Sequence, residues 1–468
     1  MKPITMTRCP TPMPVAASYT PHEPRQPRLA LSKLATALLF ATSACAVSAA
    51  NCVPDANGSY LPGNTSPSCD NIPASAGQIT MGPNAGFFAL TRSTLHGLLT
   101  IGDQNLIAAV NGGFGAIGNQ YAVGSSGARI QAGNFTLDVK GNGNMGQIGS
   151  HSGVDLSAKT VALKVNDAYS GGNLTGGVGA YGVLTGSTVD SGEGGTPVND
   201  PSKQVLNGTF TTVSLDQLTL NQTTSGGIVP ILNAGLRAIQ GAYQDAGNGS
   251  SGKIVVNGLL DMTLKGSRLE GIYVSGSATG TNGEAISQVL LTDSTITLVQ
   301  SSAADYQSSA IKIGKARPTG KGKGLVISNG SLTIDASKAV GDAIKIYESG
   351  SSLQANGAAS KSNILANKSA LAIGPADWLV AGNQPGAGNN AALGMAKLRT
   401  VSTTASLIKV YDKQTAATLL FDRGSDLLAP TDGYWLEMGG GGDLTTTLNQ
   451  GSVATGLVTS ASSSVINL

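Results

Sequence analysis

The chain has 468 residues, 64 of them Gly, with 4% aromatic and 12% charged side chains, about half the usual charged share. So few large side chains exclude a thick aromatic core, and 40% hydrophobic residues with patterned Val, Ile and Leu exclude an unstructured chain. The formal charge of +2 includes Lys2, Arg8, Arg25, Arg28 and Lys33 against Glu23 in the first 49 residues; without them nothing basic remains on the scale that nucleic-acid binding requires.

In chain order, residues 1–49 read as a secretory signal. Arg25, Arg28 and Lys33 form its positive region, and residues 34–46 its apolar stretch, too short to span a membrane. Val47, Ser48 and Ala49 supply the small residues that a signal peptidase needs, which places cleavage between Ala49 and Ala50. The Pro-rich stretch before Arg25 implies a long signal or a later true start. A lipoprotein with Cys45 acylated is the weaker reading, because Thr42 stands where an aliphatic residue is expected.

Cys9 and Cys45 leave with the signal, so the mature chain keeps Cys52 and Cys69. Export to an oxidising compartment predicts a disulfide between them, closing an entry segment over 50–74. Two cysteines are too few for a structural metal site. No later segment is long and apolar enough to be a membrane helix.

From 75 to 468 a solenoid is expected. Region 82–127 is Gly-rich, with weak strand signals in "LLTIG" and "QYAVGS". Clearer strands follow in "ARIQAGNFTLDVKG", "TVALKV" and "TVSLDQLTL". Segment 230–244 reads as a short helix or a lateral loop, because Leu232, Leu236 and Ile239 have helical spacing. Then alternating stretches recur: "IVVNGLLDMTL" ending at Leu264, "VLLTDSTITL" at Leu298, "LVISNGSLTI" at Ile334 and "NILANKSALAI" at Ile373. Each opens on aliphatics and then reaches a turn pair: Asn257 and Gly258, Asp293 and Ser294, Asn329 and Gly330, Asn367 and Lys368. The first three are followed by a second strand: "GIYVSG", "SAIKIG" and "DAIKIY". Region 374–402 reads as an insertion with a short helix over 391–398, and 439–442 as a flexible Gly turn.

Alternation means one face in and one face out. Self-similarity every few tens of residues marks a stack whose units cannot bury their apolar faces alone. The expected fold is therefore all-β: a right-handed parallel β-helix with lateral loops, after a cleavable signal peptide. A β-sandwich array is second, since it wants stronger hairpin signals and more core aromatics.

The signal, the Gly, Ser, Thr and Asn-rich stack and motifs such as "NGSLTIDAS" and "STITLVQSS" resemble the passenger domain of Gram-negative autotransporters of the pertactin and adhesin type. The resemblance covers roughly 75–468 and is strongest from 250 onward, including "SLIKVYDKQTAATLLF" and "SVATGLVTSASSSVINL". It implies an exported chain at the cell surface or outside the cell, or periplasmic without a translocator. Its loops would bind a host-cell, matrix or neighbouring-cell ligand. The family ends in an outer-membrane translocator barrel, and none follows "SSSVINL" here, so a C-terminally truncated passenger is expected.

Catalytic signals are sparse. His96 and His151 are the histidines beyond the signal, and "GSHSG" around His151 reads as a polar turn. There is no G-x-S-x-G and no GDSGG motif like that of the protease autotransporters; "RGSDLL" has the wrong order for a GDSL box. "AIKIG" and "AIKIY" resemble the Arg-Ile-Lys tripeptide of polygalacturonases with Ala in place of Arg. Glycoside hydrolysis needs two positioned carboxylates; Asp335 and Asp342 lie in one repeat and are assigned to turns and solubility. No catalytic residue, cofactor or metal site is assigned. "KARPTGKGKG" concentrates Lys315, Arg317, Lys321 and Lys323, either a binding loop for an acidic glycan or cell surface, or a solvated loop that discourages edge pairing. The expected function is adhesin-like, non-enzymatic binding. The alternative is a secreted, pectin-lyase-like enzyme acting on polysaccharide.

Overall fold

The computed structural model describes 31 β-strands between Ile79 and Asn467. Among the connections it describes 133–134, 329–330, 339–343, 367–370, 393–394, 401–407, 422–425, 429–433 and 449–452, with a few single residues beside strands. The signal, its cleavage point at Ala49 and Ala50, Cys52, Cys69 and the whole entry segment lie outside the described residues. No helix of the described residues is long and apolar enough to cross a membrane.

Every strand pairing is parallel, and each partner lies one turn of the chain away. The chain is a parallel β-helix. One turn runs through three faces: Lys323–Ser328, then Ser331–Lys338, then Ile344–Ile346. The next repeats it with Ser352–Ala355, Lys361–Ala366 and Leu371–Ile373. The third face is a sheet of 11 strands, and the first two merge into one of 20. They merge because Asp155–Ala168, Phe210–Thr224, Ser251–Gly266 and Ile286–Gln300 run through the corner without a break. There the corner is a bulge, seen as a register shift between Val256 and Leu259. From Asn329 and Gly330 onward it is an open bend.

Alternation fills the inside with aliphatic columns. On the second face Leu163, Leu220, Met262, Ile296, Ile334, Ile364, Leu398 and Leu427 stack in register. On the third, Ile272, Ile311, Ile344, Leu371, Ile408 and Leu436 do the same. All are essentially fully buried, at about 1.5–3 kcal/mol each.

Four expectations are corrected. The fourth repeat is out of phase with its sequence pattern by one strand: Ile334 stacks on Ile364, and Ile373 stacks on Ile346 in the third face. Asn367 and Lys368 therefore turn the second corner, while Asn329 and Gly330 turn the first. Both corners use the same turn chemistry, so composition could not separate them. Segment 232–239 is a strand, Leu232–Ile239, paired on both sides. The span 391–398 holds no helix: Ala387–Ala392 and Met395–Thr400 are strands joined at Gly394, whose φ is +60°. Neighbouring parallel strands supply their backbone hydrogen bonds and override local helix preference. His151 ends the strand Gln147–His151 opposite Tyr181 and is not in a turn.

Candidate functional site

Residues that alternate with the core columns point outward and stack as strictly as those inside. On the second face Thr219, Asp261, Thr295, Thr333, Asn363, Lys397 and Asp426 form one outer row. Beside it run Lys164, Asn221, Thr263, Thr297, Asp335, Leu365 and Arg399. Strand spacing sets steps of about 4.8 Å along each row. The surface is a ruled face mostly of short polar side chains, with Lys164 at its early end and Lys397 and Arg399 at its later one.

The corner beside this face is held by a carboxylate. Asp293 Oδ1 accepts from Ser331 N and from Ser331 Oγ, each at 2.8 Å. The backbone hydrogen bond from Ser331, then its hydroxyl, hold the Asp293 carboxyl below the usual range. Gly330 is required here, because a Cβ would sit 2.6 Å from the Thr292 carbonyl oxygen.

The third face carries a different chemistry. Its outward row is Tyr273, Lys312, Lys345, Ala372, Lys409 and Glu437. Lys312 and Lys345 stack as neighbours, yet both are buried. Each has a carboxylate three positions back in its own or an adjoining turn. Lys312 Nζ donates to Glu270 Oε1 at 2.8 Å and sits 5.2 Å from the Tyr273 ring centre. Lys345 Nζ lies 4.0 Å from Asp342 Oδ2. Asp342 also accepts from Ser369 N at 3.2 Å and from the Tyr411 hydroxyl at 2.9 Å. One turn on, Lys409 Nζ meets Glu437 Oε1 at 3.0 Å and lies 4.7 Å from the Tyr411 ring, while Ser406 Oγ donates to Glu437 Oε2 at 2.5 Å. Three cations and three carboxylates thus neutralise one another along the axis.

Of the expected binding loop, Lys323 is the first residue of Lys323–Ser328, opposite Ile286. Lys315, Arg317 and Lys321 lie outside the described residues, as does His96. Asp335 and Asp342 are not brought together. Asp335 Oδ1 accepts from Ser337 N at 3.0 Å and Ser337 Oγ at 2.6 Å on the second face, whereas Asp342 belongs to the third-face network. The ionic ladder was not foreseen, although its signal is in the sequence. "AIKI" at 310–313 and 343–346 and "LIKV" at 407–410 put Lys at one phase of three repeats. Comparison of the chain with family models, with curated proteins and with solved structures gives no match in any of the three.

Proposed function

We propose that the chain is an exported β-helix of the autotransporter-passenger type and that it works by binding a partner at a cell or matrix surface. The observation that carries this reading is the second face. Its outward side chains keep register over turn after turn, on a scaffold of 11 third-face strands that rises on the order of 50 Å at the usual strand spacing. Rigid rows of short hydroxyl and amide groups suit an extended ligand, because little side-chain freedom is lost on contact. The carboxylates of the third-face network are already held by Lys312, Lys345, Lys409, Ser406 and Tyr411, which suits a role in holding the stack.

The test is adhesion. Beads coated with the exported chain should retain cells or matrix above the level of beads coated with heat-unfolded chain. Equal retention by both would overturn the reading. Release of reducing or unsaturated sugars from a polysaccharide by the purified protein would instead support the enzymatic alternative.

A further inference from the structure

We infer that the second-face strands Ser331–Lys338, Lys361–Ala366 and Met395–Thr400, with the corner at Lys368, are a docking surface for a linear, sulfated polysaccharide; this rests on the binding reading above and names the partner's chemistry. Residues 309–402 hold eleven Lys and Arg against four Asp and Glu, whereas the whole chain holds 29 against 27. The positive charge is therefore concentrated in this stretch. Seven of these cations have described side chains: Arg399 is paired with Asp426, and the other six fall into two groups. Lys312 and Lys345 are buried in the third-face network. Lys338, Lys361, Lys368 and Lys397 are exposed, and none forms an ion pair with a described residue.

Two of these four form a close pair on the second face, and the other two stand where neighbouring turns leave it. Lys361 stands opposite Met395, and Lys397 opposite Asn363 in the next strand, which sets the two lysines diagonally, roughly 8 Å apart between Cα atoms. Lys338 and Lys368 each lie two residues beyond Ala336 and Ala366, which face each other in neighbouring turns. Of the carboxylates on this part of the face, Asp426 is paired with Arg399, which leaves Asp335, an acceptor from Ser337, as one anion against four cations. Thr333 and Asn363 continue the outward row beside Lys397 and offer neutral hydrogen bonds to sugar hydroxyls.

Charge complementarity requires a polyanion. Paired ammonium groups suit a chain with more than one anionic group per sugar, which a sulfated glycan has. A single-stranded nucleic acid would use aromatic platforms for its bases, and the outward residues of Ser331–Lys338, Lys361–Ala366 and Met395–Thr400 include no aromatic one.

The experiment measures binding of the exported full chain to immobilised heparin at about 0.15 M NaCl, where exposed charges further apart than about 8 Å are screened. The combined variant Lys338→Gln, Lys361→Gln, Lys368→Gln and Lys397→Gln should bind at least about tenfold more weakly and elute at lower salt, with an unchanged circular dichroism spectrum. The same four positions changed to Arg should keep binding. Lys159→Gln with Lys164→Gln, both exposed on an earlier turn, should stay within about twofold of the parent, because exposed charges act locally. Undiminished binding by the four-Gln variant, equal binding to desulfated heparin, or binding of RNA or anionic vesicles in place of heparin would each overturn the inference. If heparin binding fails while coated beads still retain cells, this inference falls and the passenger reading stands; if both fail, the passenger reading falls too.

Discussion

Two faces of the same coil treat lysine in opposite ways. On the third face Lys312 and Lys345 are buried, and Glu270, Asp342, Tyr273 and Tyr411 surround them. On the second, Lys361 and Lys397 occupy adjoining outward rows of equal regularity and stay exposed without an ion pair among the described residues. Backbone geometry is the same in both, so the difference comes from what stands within reach. A buried ammonium persists only with a carboxylate beside it, whereas an exposed one is hydrated and free to meet an external anion. The contrast separates cations that hold the stack from cations that face outward.

The largest test of that contrast removes a partner from the caged group. Glu270→Ala leaves Lys312 buried beside Lys345 and should cost about 3–5 kcal/mol, read as a fall in the denaturation midpoint by chemical unfolding. A loss under about 1 kcal/mol would show that this pair is as dispensable as a surface one. Next in size is Gly330→Ala, which forces a Cβ against the Thr292 carbonyl oxygen at 2.6 Å. It should cost about 1–3 kcal/mol as local overpacking, measured in the same way. An unchanged midpoint would mean that the first corner has room to shift.

Acid has a smaller and signed effect. The Asp293 carboxyl is held below its ordinary range by Ser331, so its contribution is present above the unfolded value, about 3.9, and is lost as pH falls through the lower folded value. Stability should therefore drop between neutral pH and strongly acid solution. Asp293→Asn should flatten that drop in a series of melts at stepped pH, and a parallel drop in parent and variant would remove Asp293 as a cause. Smallest of all, Lys361→Gln with Lys397→Gln should change stability by no more than about 0.5 kcal/mol. A large destabilisation would erase the distinction between the two faces.

Much of this architecture was legible in the sequence. Strict alternation around Ile334 and the Asn and Gly pair before it give a strand with one buried side and a bend of known chemistry. Stacking of such units then follows from their inability to bury one face alone. Phase was harder to read. Corners one and two use similar residues, so "NILANKSALAI" matched "LVISNGSLTI" in pattern while belonging to a different pair of faces. The span 391–398 failed for another reason: Ala391, Ala392 and Leu398 favour helix locally, and only the neighbouring strands and Gly394 decide otherwise. Of the site, the Lys-rich 315–323 stretch was visible as composition. The pairing of Lys361 with Lys397 needs the register between turns, which no local window contains.

The steps between stacked core positions are uneven. Ile296, Ile334, Ile364, Leu398 and Leu427 succeed one another in one column, yet the chain spends from 29 to 38 residues on each circuit. The metre of the coil is kept by the strands alone, and the connections between them are free in length. Since doubling a flexible connection costs only about 0.6 kcal/mol in closure entropy, such a chain can lengthen, shorten or exchange what it displays at its corners without retuning the column beneath. Its outer chemistry can drift quickly while its interior stands still.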